Sequence, residues 1–144
     1  MNESLTIFYT DDDQEDLEFF KEVVGSFGRH IEVVTQNKPA QLLHALKNPP
    51  PSPQIIFLDV NMPLINGFDL LQQIRAHAEF SDIPVVMFST SRDEHNIAKS
   101  RSLGANYYLP KLESFDAFKK SIDHTLKINW STFSPTAADF AYRN

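Results

Sequence analysis

The chain has 144 residues, 42% of them hydrophobic and 22% charged, which fits one globular domain with a single substantial core. Its net charge is −6 and Lys and Arg are not clustered, so it offers no counterion-displacing surface for nucleic acid and little attraction for an anionic membrane. Cysteine is absent, which removes disulfides, thiolate nucleophiles and Cys-based zinc or iron–sulfur sites.

No basic segment followed by an apolar core opens the chain, and no apolar run reaches membrane-spanning length. The cytoplasm is therefore the expected compartment. Short apolar runs alternate with amphipathic stretches five times. The first strand is predicted over Thr6–Thr10. Leu17, Phe20, Val24 and Phe27 then form a helical stripe that Gly28 should end. A second strand is predicted over Ile31–Thr35. The helix after it is entered through Asn37 and Pro39, carries Leu42, Leu43, Ala45 and Leu46, and stops at Asn48 before a proline-rich connection.

The third strand, Gln54–Leu58, leads to a helix starting near Gly67 with Phe68, Leu71, Ile74 and Ala78 on its stripe. The fourth, Pro84–Phe88, leads to a helix opened by the capping-box pattern Ser91-x-x-Glu94 and closed at Gly104. That helix has little to bury beyond Ile97, Ala98 and Leu103, so it should be loosely held. The fifth strand, Asn106–Leu109, precedes a helix that starts at Ser114 with Phe115, Phe118, Ile122 and Leu126. From Ile128 the periodicity stops. The expected division is a domain over 1–127 and a tail over 128–144 with no further domain attached.

Strand–helix alternation predicts an α/β fold: a doubly wound, five-stranded parallel sheet with five helices and right-handed crossovers. Its strands read as continuous apolar runs, as strands buried on both faces do. The flavodoxin-like order 2-1-3-4-5 puts the ends of the first and third strands together at the switch point, where such sheets place ligands. Asp11 and Asp12 follow the first of these strands and Asp59 the third. Three acids at one edge repel unless a cation lies between them, and an oxygen-only set suits Mg2+. Acids after a strand also commonly cap the next helix, a role open to Asp12 and Asp13.

The runs Ile7-Phe8-Tyr9-Thr10-Asp11-Asp12-Asp13 and Leu58-Asp59-Val60-Asn61-Met62-Pro63, followed by Gly67, resemble the receiver domain of two-component response regulators. Pro84-Val85-Val86-Met87-Phe88-Ser89-Thr90 and Gly104-Ala105-Asn106-Tyr107-Tyr108-Leu109-Pro110-Lys111 complete the set, and the likeness covers about Leu5 to Lys127. It implies Asp59 as phospho-acceptor and nucleophile, with Asp11, Asp12, Asp59 and the Asn61 backbone carbonyl around Mg2+. It also implies Ser89 and Lys111 as donors to the phosphoryl group, and Ser89 with Tyr108 as the switch pair. Leu112 stands where proline usually follows the lysine, so either a cis bond is formed without proline or the loop takes another path.

The expected function is a single-domain response regulator, a signalling switch whose only chemistry is self-catalysed phosphoryl acceptance and slow autodephosphorylation. Its expected partners are a sensor histidine kinase or histidine phosphotransfer protein and a downstream protein of unknown identity, with homodimerisation open and neither nucleic acid nor membrane involved. Two alternatives stay open: a small haloacid-dehalogenase-like phosphatase, suggested by Asp11-x-Asp13, and a receiver-like adaptor that is never phosphorylated. The Asp11-x-Asp13-x-Glu15 run lacks the glycine of a calcium loop, and no P-loop is present. His30, His44, His77, His95 and His124 show no metal-ligand spacing. The tail, with Trp130, Phe133, Phe140 and Tyr142, is expected to pack across part of the surface made by the fourth helix, fifth strand and fifth helix, to extend a partner interface, or to fold back for stability alone.

Overall fold

A computed structural model describes residues 4–63 and 65–143. Strands β1 (Leu5–Thr10), β2 (Ile31–Gln36), β3 (Ile55–Asp59), β4 (Val85–Ser89) and β5 (Tyr107–Pro110) alternate with helices α1 (Gln14–Gly25), α2 (Pro39–Lys47), α3 (Gly67–Ala76), α4 (Glu94–Ser102) and α5 (Phe115–Leu126). All strand pairings are parallel, in the order β2-β1-β3-β4-β5. The predicted architecture is the observed one.

Because side chains alternate along a strand, each central strand feeds two cores. Phe8, Ile56, Leu58, Met87 and Tyr108 pack under α2, α3 and α4. Ile7, Tyr9, Phe57, Phe88 and Leu109 pack under α1 and α5. The second core is largely aromatic, with Tyr9 against Phe20 at 4.8 Å and Phe88 stacked on Phe118 at 5.4 Å between ring centroids. Tyr107 and Tyr108 fall on opposite faces, as strand alternation predicts.

The element ends correct the sequence reading in places. Helix α1 stops at Gly25, and Gly28, at φ +66°, turns the chain into β2 instead of ending the helix. Ala78 lies beyond α3 and is exposed; Phe80 takes the core place in the following turn. Ser91 does not cap α4. Ser89 Oγ accepts the Ser91 N–H, Ser91 Oγ accepts the Asp93 N–H, and Asp93 Oδ1 accepts the His95 N–H. These successive turns move the cap to Asp93. Helix α4 buries only Ile97 and Ser100, with Ala98 exposed, so its apolar stripe is thinner still than expected.

The tail is docked. Tyr108 N–H donates to the Phe140 carbonyl at 3.0 Å and Tyr142 N–H to the Tyr108 carbonyl at 2.9 Å, a parallel bridge on the open side of β5. An edge strand's unpaired N–H and C=O groups otherwise invite foreign strands. Phe140 is buried in the core under α4, and Trp130 and Phe133 lie edge-on to Tyr107 at 6.2 and 5.9 Å. Arg143 pairs with Glu94 of α4 at 3.1 Å. The tail thus contributes to the same core as residues 4–127, although its sequence shows no periodicity.

Phe140→Ala is expected to cost about 2–3 kcal/mol, below the full core value because the tail can detach instead of leaving a cavity. Hydrogen exchange checks this: the Tyr108 and Tyr142 amides should lose protection well before the amides of β1 and β3. No helix among the described residues is long and apolar enough to cross a membrane.

Candidate functional site

Strands β1, β3, β4 and β5 end at one edge and bring Asp11, Asp59, Ser89 and Lys111 there. Main-chain pairing carries this placement: Val60 N–H donates to the Phe88 carbonyl at 3.0 Å, and Lys111 N–H to the Ser89 carbonyl at 2.7 Å. Helix α3 starts almost against Asp59. Gly67 N–H donates to the Val60 carbonyl at 2.9 Å, and a Cβ on Gly67 would stand 2.2 Å from the Asp59 carbonyl oxygen. Asn66 caps the helix by accepting the Asp69 N–H at 3.0 Å.

Asp11, Asp12 and Asp59 can each present one oxygen within 4.8 Å of the others. Asp11 and Asp59 are buried and Asp12 is exposed. An all-carboxylate set of this kind, open on the Asp12 side and free of His and Cys, fits a hard divalent cation such as Mg2+. Asp13, by contrast, caps α1 and accepts the Glu15 and Asp16 N–H groups. The capping and cluster roles are therefore divided between neighbouring acids. Asn61 is exposed in the loop after β3.

The Lys111 ammonium meets three carboxylates: Asp11 Oδ2 and Asp16 Oδ2 at 2.8 Å each, and Asp59 Oδ1 at 3.1 Å. Burial favours its neutral form, but the bonds to Asp11 and Asp16 and the Asp59 charge outweigh this and hold its pKa above the usual lysine value. Burial pushes the Asp59 carboxyl up to about 7, against the lowering by Lys111 and with Asp11 adding to the rise. The lysine therefore only partly compensates the crowded acids, and a bound cation would supply the remainder.

Two contributors were missed from sequence. The Tyr9 hydroxyl, held neutral by burial and by the Asp11 charge, donates to Asp11 Oδ2 at 2.5 Å. Its signal was the two-residue spacing along β1, which puts both side chains on one face. The other is Asp16, in the first turn of α1, whose carboxylate accepts from the Lys111 ammonium. Thr10, expected merely to mark a strand end, is buried and donates to Gln36 Oε1 at 2.9 Å.

Ser89 is fully buried at the end of β4. Tyr108 is also buried, turned inward, with its hydroxyl donating to the Ser91 carbonyl at 2.8 Å. Among the described residues the cis peptide bonds are Pro49–Pro50 and Pro50–Pro51; Lys111–Leu112 is trans, so the loop takes the other path. All five histidines are exposed. A groove of about 760 Å³ runs between α1 and the loop after β5 towards Lys111, lined by Glu15, Glu18, Glu22 and Glu113 over Phe19 and Leu112.

The family model of the response regulator receiver domain matches residues 7–123. The response regulator Rcp1 of Synechocystis sp. is 37% identical over 70 residues, covering 48% of this chain and 48% of Rcp1. Chemotaxis protein CheY1 of Helicobacter pylori is 28% identical over 76 residues, covering 53% of this chain and 61% of CheY1. The chain thus spans about half the length of the curated relatives it matches. Among solved structures, the phosphorylated cyanobacterial phytochrome response regulator RcpA superposes with a TM-score of 0.76 at 25% identity, covering 92% of this chain and 98% of RcpA. The Mn2+-bound form of Rcp1 superposes with a TM-score of 0.75 at 24% identity, covering 92% of this chain and 99% of Rcp1. The family match runs from the first strand into the fifth helix and leaves no strand of the sheet outside it: the chain belongs to the response regulator receiver domain family.

Proposed function

We propose that this protein is a phospho-accepting switch in which Asp59 takes a phosphoryl group from a histidine kinase or a histidine phosphotransfer protein. The observation that carries the reading is the meeting of Asp59 with the Lys111 ammonium at 3.1 Å beside the Asp11–Asp12 oxygens. It joins a nucleophile, a fixed positive charge and a cation-binding set at one strand edge.

An ionised Asp59 oxygen attacks phosphorus while the donor's P–N bond breaks and its electron pair leaves with the imidazole. Lys111 neutralises charge on the transferring oxygens and Ser89 donates its hydroxyl to one of them. Asp11, Asp12, Asp59 and the Asn61 carbonyl would hold Mg2+, which when bound shields the charge gathered on the phosphoryl group. The acids Glu15, Glu18, Glu22 and Glu113 along the groove favour a donor protein with a basic docking face. The haloacid-dehalogenase alternative is set aside because the receiver-domain family model spans residues 7–123, while Asp13 Oδ1 serves as the α1 cap.

Output follows from the couplings at Ser89. Drawing its hydroxyl to a phosphoryl oxygen releases the Ser91 N–H and loosens the turns that cap α4. Tyr108, bonded to the Ser91 carbonyl, and the tail on its main chain sit next in line. A helix that buries two residues can shift for a few kcal/mol, within what phosphoryl contacts supply. The protein is read as cytoplasmic, acting through protein contacts.

The metal requirement provides the test. Incubation with acetyl phosphate and Mg2+ should add one phosphoryl group, read by intact mass, and EDTA should prevent it. Asp12→Ala should cut labelling about 100-fold or more, by removal of a cation ligand. Labelling unchanged by EDTA would refute the site.

A further inference from the structure

We propose that Asp16 is a positioning residue that holds the Lys111 ammonium aimed at the phosphoryl group on Asp59. The inference rests on Asp59 being the acceptor and assigns a residue that this reading leaves unused. Of the three carboxylates on Lys111, Asp11 and Asp59 belong to the cation-binding set. A divalent cation would draw on oxygen lone pairs of both and repel the ammonium, so both would hold Lys111 less firmly in the loaded state. Asp16 stands outside that set, at 2.8 Å from Nζ.

Its own support is rigid. Asp16 lies in the first turn of α1, where its N–H bonds to the Asp13 cap and its neighbour Leu17 is buried in the core. The Lys111 side chain is only 13% exposed, and its main chain is pinned to Ser89. The ammonium therefore has a fixed origin and, besides the Phe88 ring at 5.6 Å, one carboxylate partner outside the cation-binding set. An ammonium carries three N–H donors. With one on Asp16, two are left to face Asp59 and a phosphoryl oxygen, and the methylene stem cannot swing out into the groove.

Asp16→Asn keeps the shape and removes the charge; Asp16→Glu keeps the charge. With acetyl phosphate and saturating Mg2+, Asp16→Asn should slow labelling of Asp59 about tenfold, the scale expected for a mispositioned catalytic group, and Asp16→Glu should restore most of the rate. Mg2+ affinity, measured by calorimetry, should change by less than about threefold, since only a partly exposed neighbouring charge is lost. In 15N–1H spectra the Lys111 ammonium signal should be visible in the wild type and broaden in Asp16→Asn through faster exchange with water.

An unchanged or increased rate would overturn the proposal, as would a loss that disappears at saturating Mg2+. If the wild type accepts no phosphate, the functional reading fails on its own. The ammonium spectrum then decides for Asp16, and a signal equal in Asp16→Asn and wild type would overturn the positioning role.

Discussion

Asp59→Asn is expected to abolish phosphoryl uptake from acetyl phosphate and Mg2+ while leaving the protein folded and more stable than the wild type. The loss is complete because a carboxamide offers no anionic oxygen to attack phosphorus. The gain in stability follows from burial. Asp59 lies 4% exposed beside Asp11, and its carboxyl titrates near 7, well above its ordinary value of 3.8. Between about pH 4 and 7 the folded protein therefore keeps a proton that the unfolded chain has already released. In the absence of a cation, stability falls as pH rises through this window and the deficit is fully present above it. The asparagine variant has no such group. In EDTA at pH 8 its Tm should exceed that of the wild type by on the order of 5 °C, with a smaller difference at pH 5. Retained label would move the acceptor elsewhere, and equal Tm differences at both pH values would remove the proposed cause.

Gly67→Ala should be the most damaging small substitution in the molecule, lowering stability by on the order of 4 kcal/mol, at the upper end for overpacking. The added methyl would meet the Asp59 carbonyl oxygen at 2.2 Å and Val60 Cα at 2.9 Å, both main-chain atoms that cannot rotate away. Relief requires α3 to lift from β3, breaking the Gly67–Val60 hydrogen bond and shifting the backbone that carries Asp59. Urea denaturation measures the loss, and labelling of whatever fraction remains folded should slow as well. Gly25→Ala is the control. Nothing lies within 4 Å of a Cβ there, so the change should be neutral or stabilising by about 0.5–1 kcal/mol through helix propensity. Equal effects at the two positions would mean that close approach is not what Gly67 provides.

Much of this molecule was legible in the linear sequence because parallel strands buried on both faces must be continuous apolar runs. Runs such as Ile55–Leu58 and Val85–Phe88 announce themselves and mark where the polar edge begins. Strand order then required Asp11 and Asp59 to be neighbours, since the ends of β1 and β3 pair directly. Placing the carboxylates, Ser89 and Lys111 at one edge thus needed only the end points of strands. The helix ends were less legible. Ser91-x-x-Glu94 satisfies a capping pattern locally, but β4 ends at Ser89 and the Ser89–Ser91–Asp93 turns set the first residue of α4.

By itself the sequence determined the elements, their order and the acids at the carboxyl edge, because each depends on residues close together in the chain or on a topology with few alternatives. Only the tertiary structure decided which acid does what. Asp12 and Asp13 are indistinguishable as letters, yet one faces Asp59 and the other is consumed by the helix it starts. Asp16 reaches Lys111 across a separation of 95 residues, a pairing that no local pattern encodes. The tail shows the same limit. Its docking combines the buried Phe140 ring and the Trp130 and Phe133 contacts on Tyr107 with main-chain groups of β5 left open at the sheet edge, which are the same in every residue type but proline. Local propensity sets what each segment can become; contacts between distant segments, formed only once the sheet exists, set how its side chains are used.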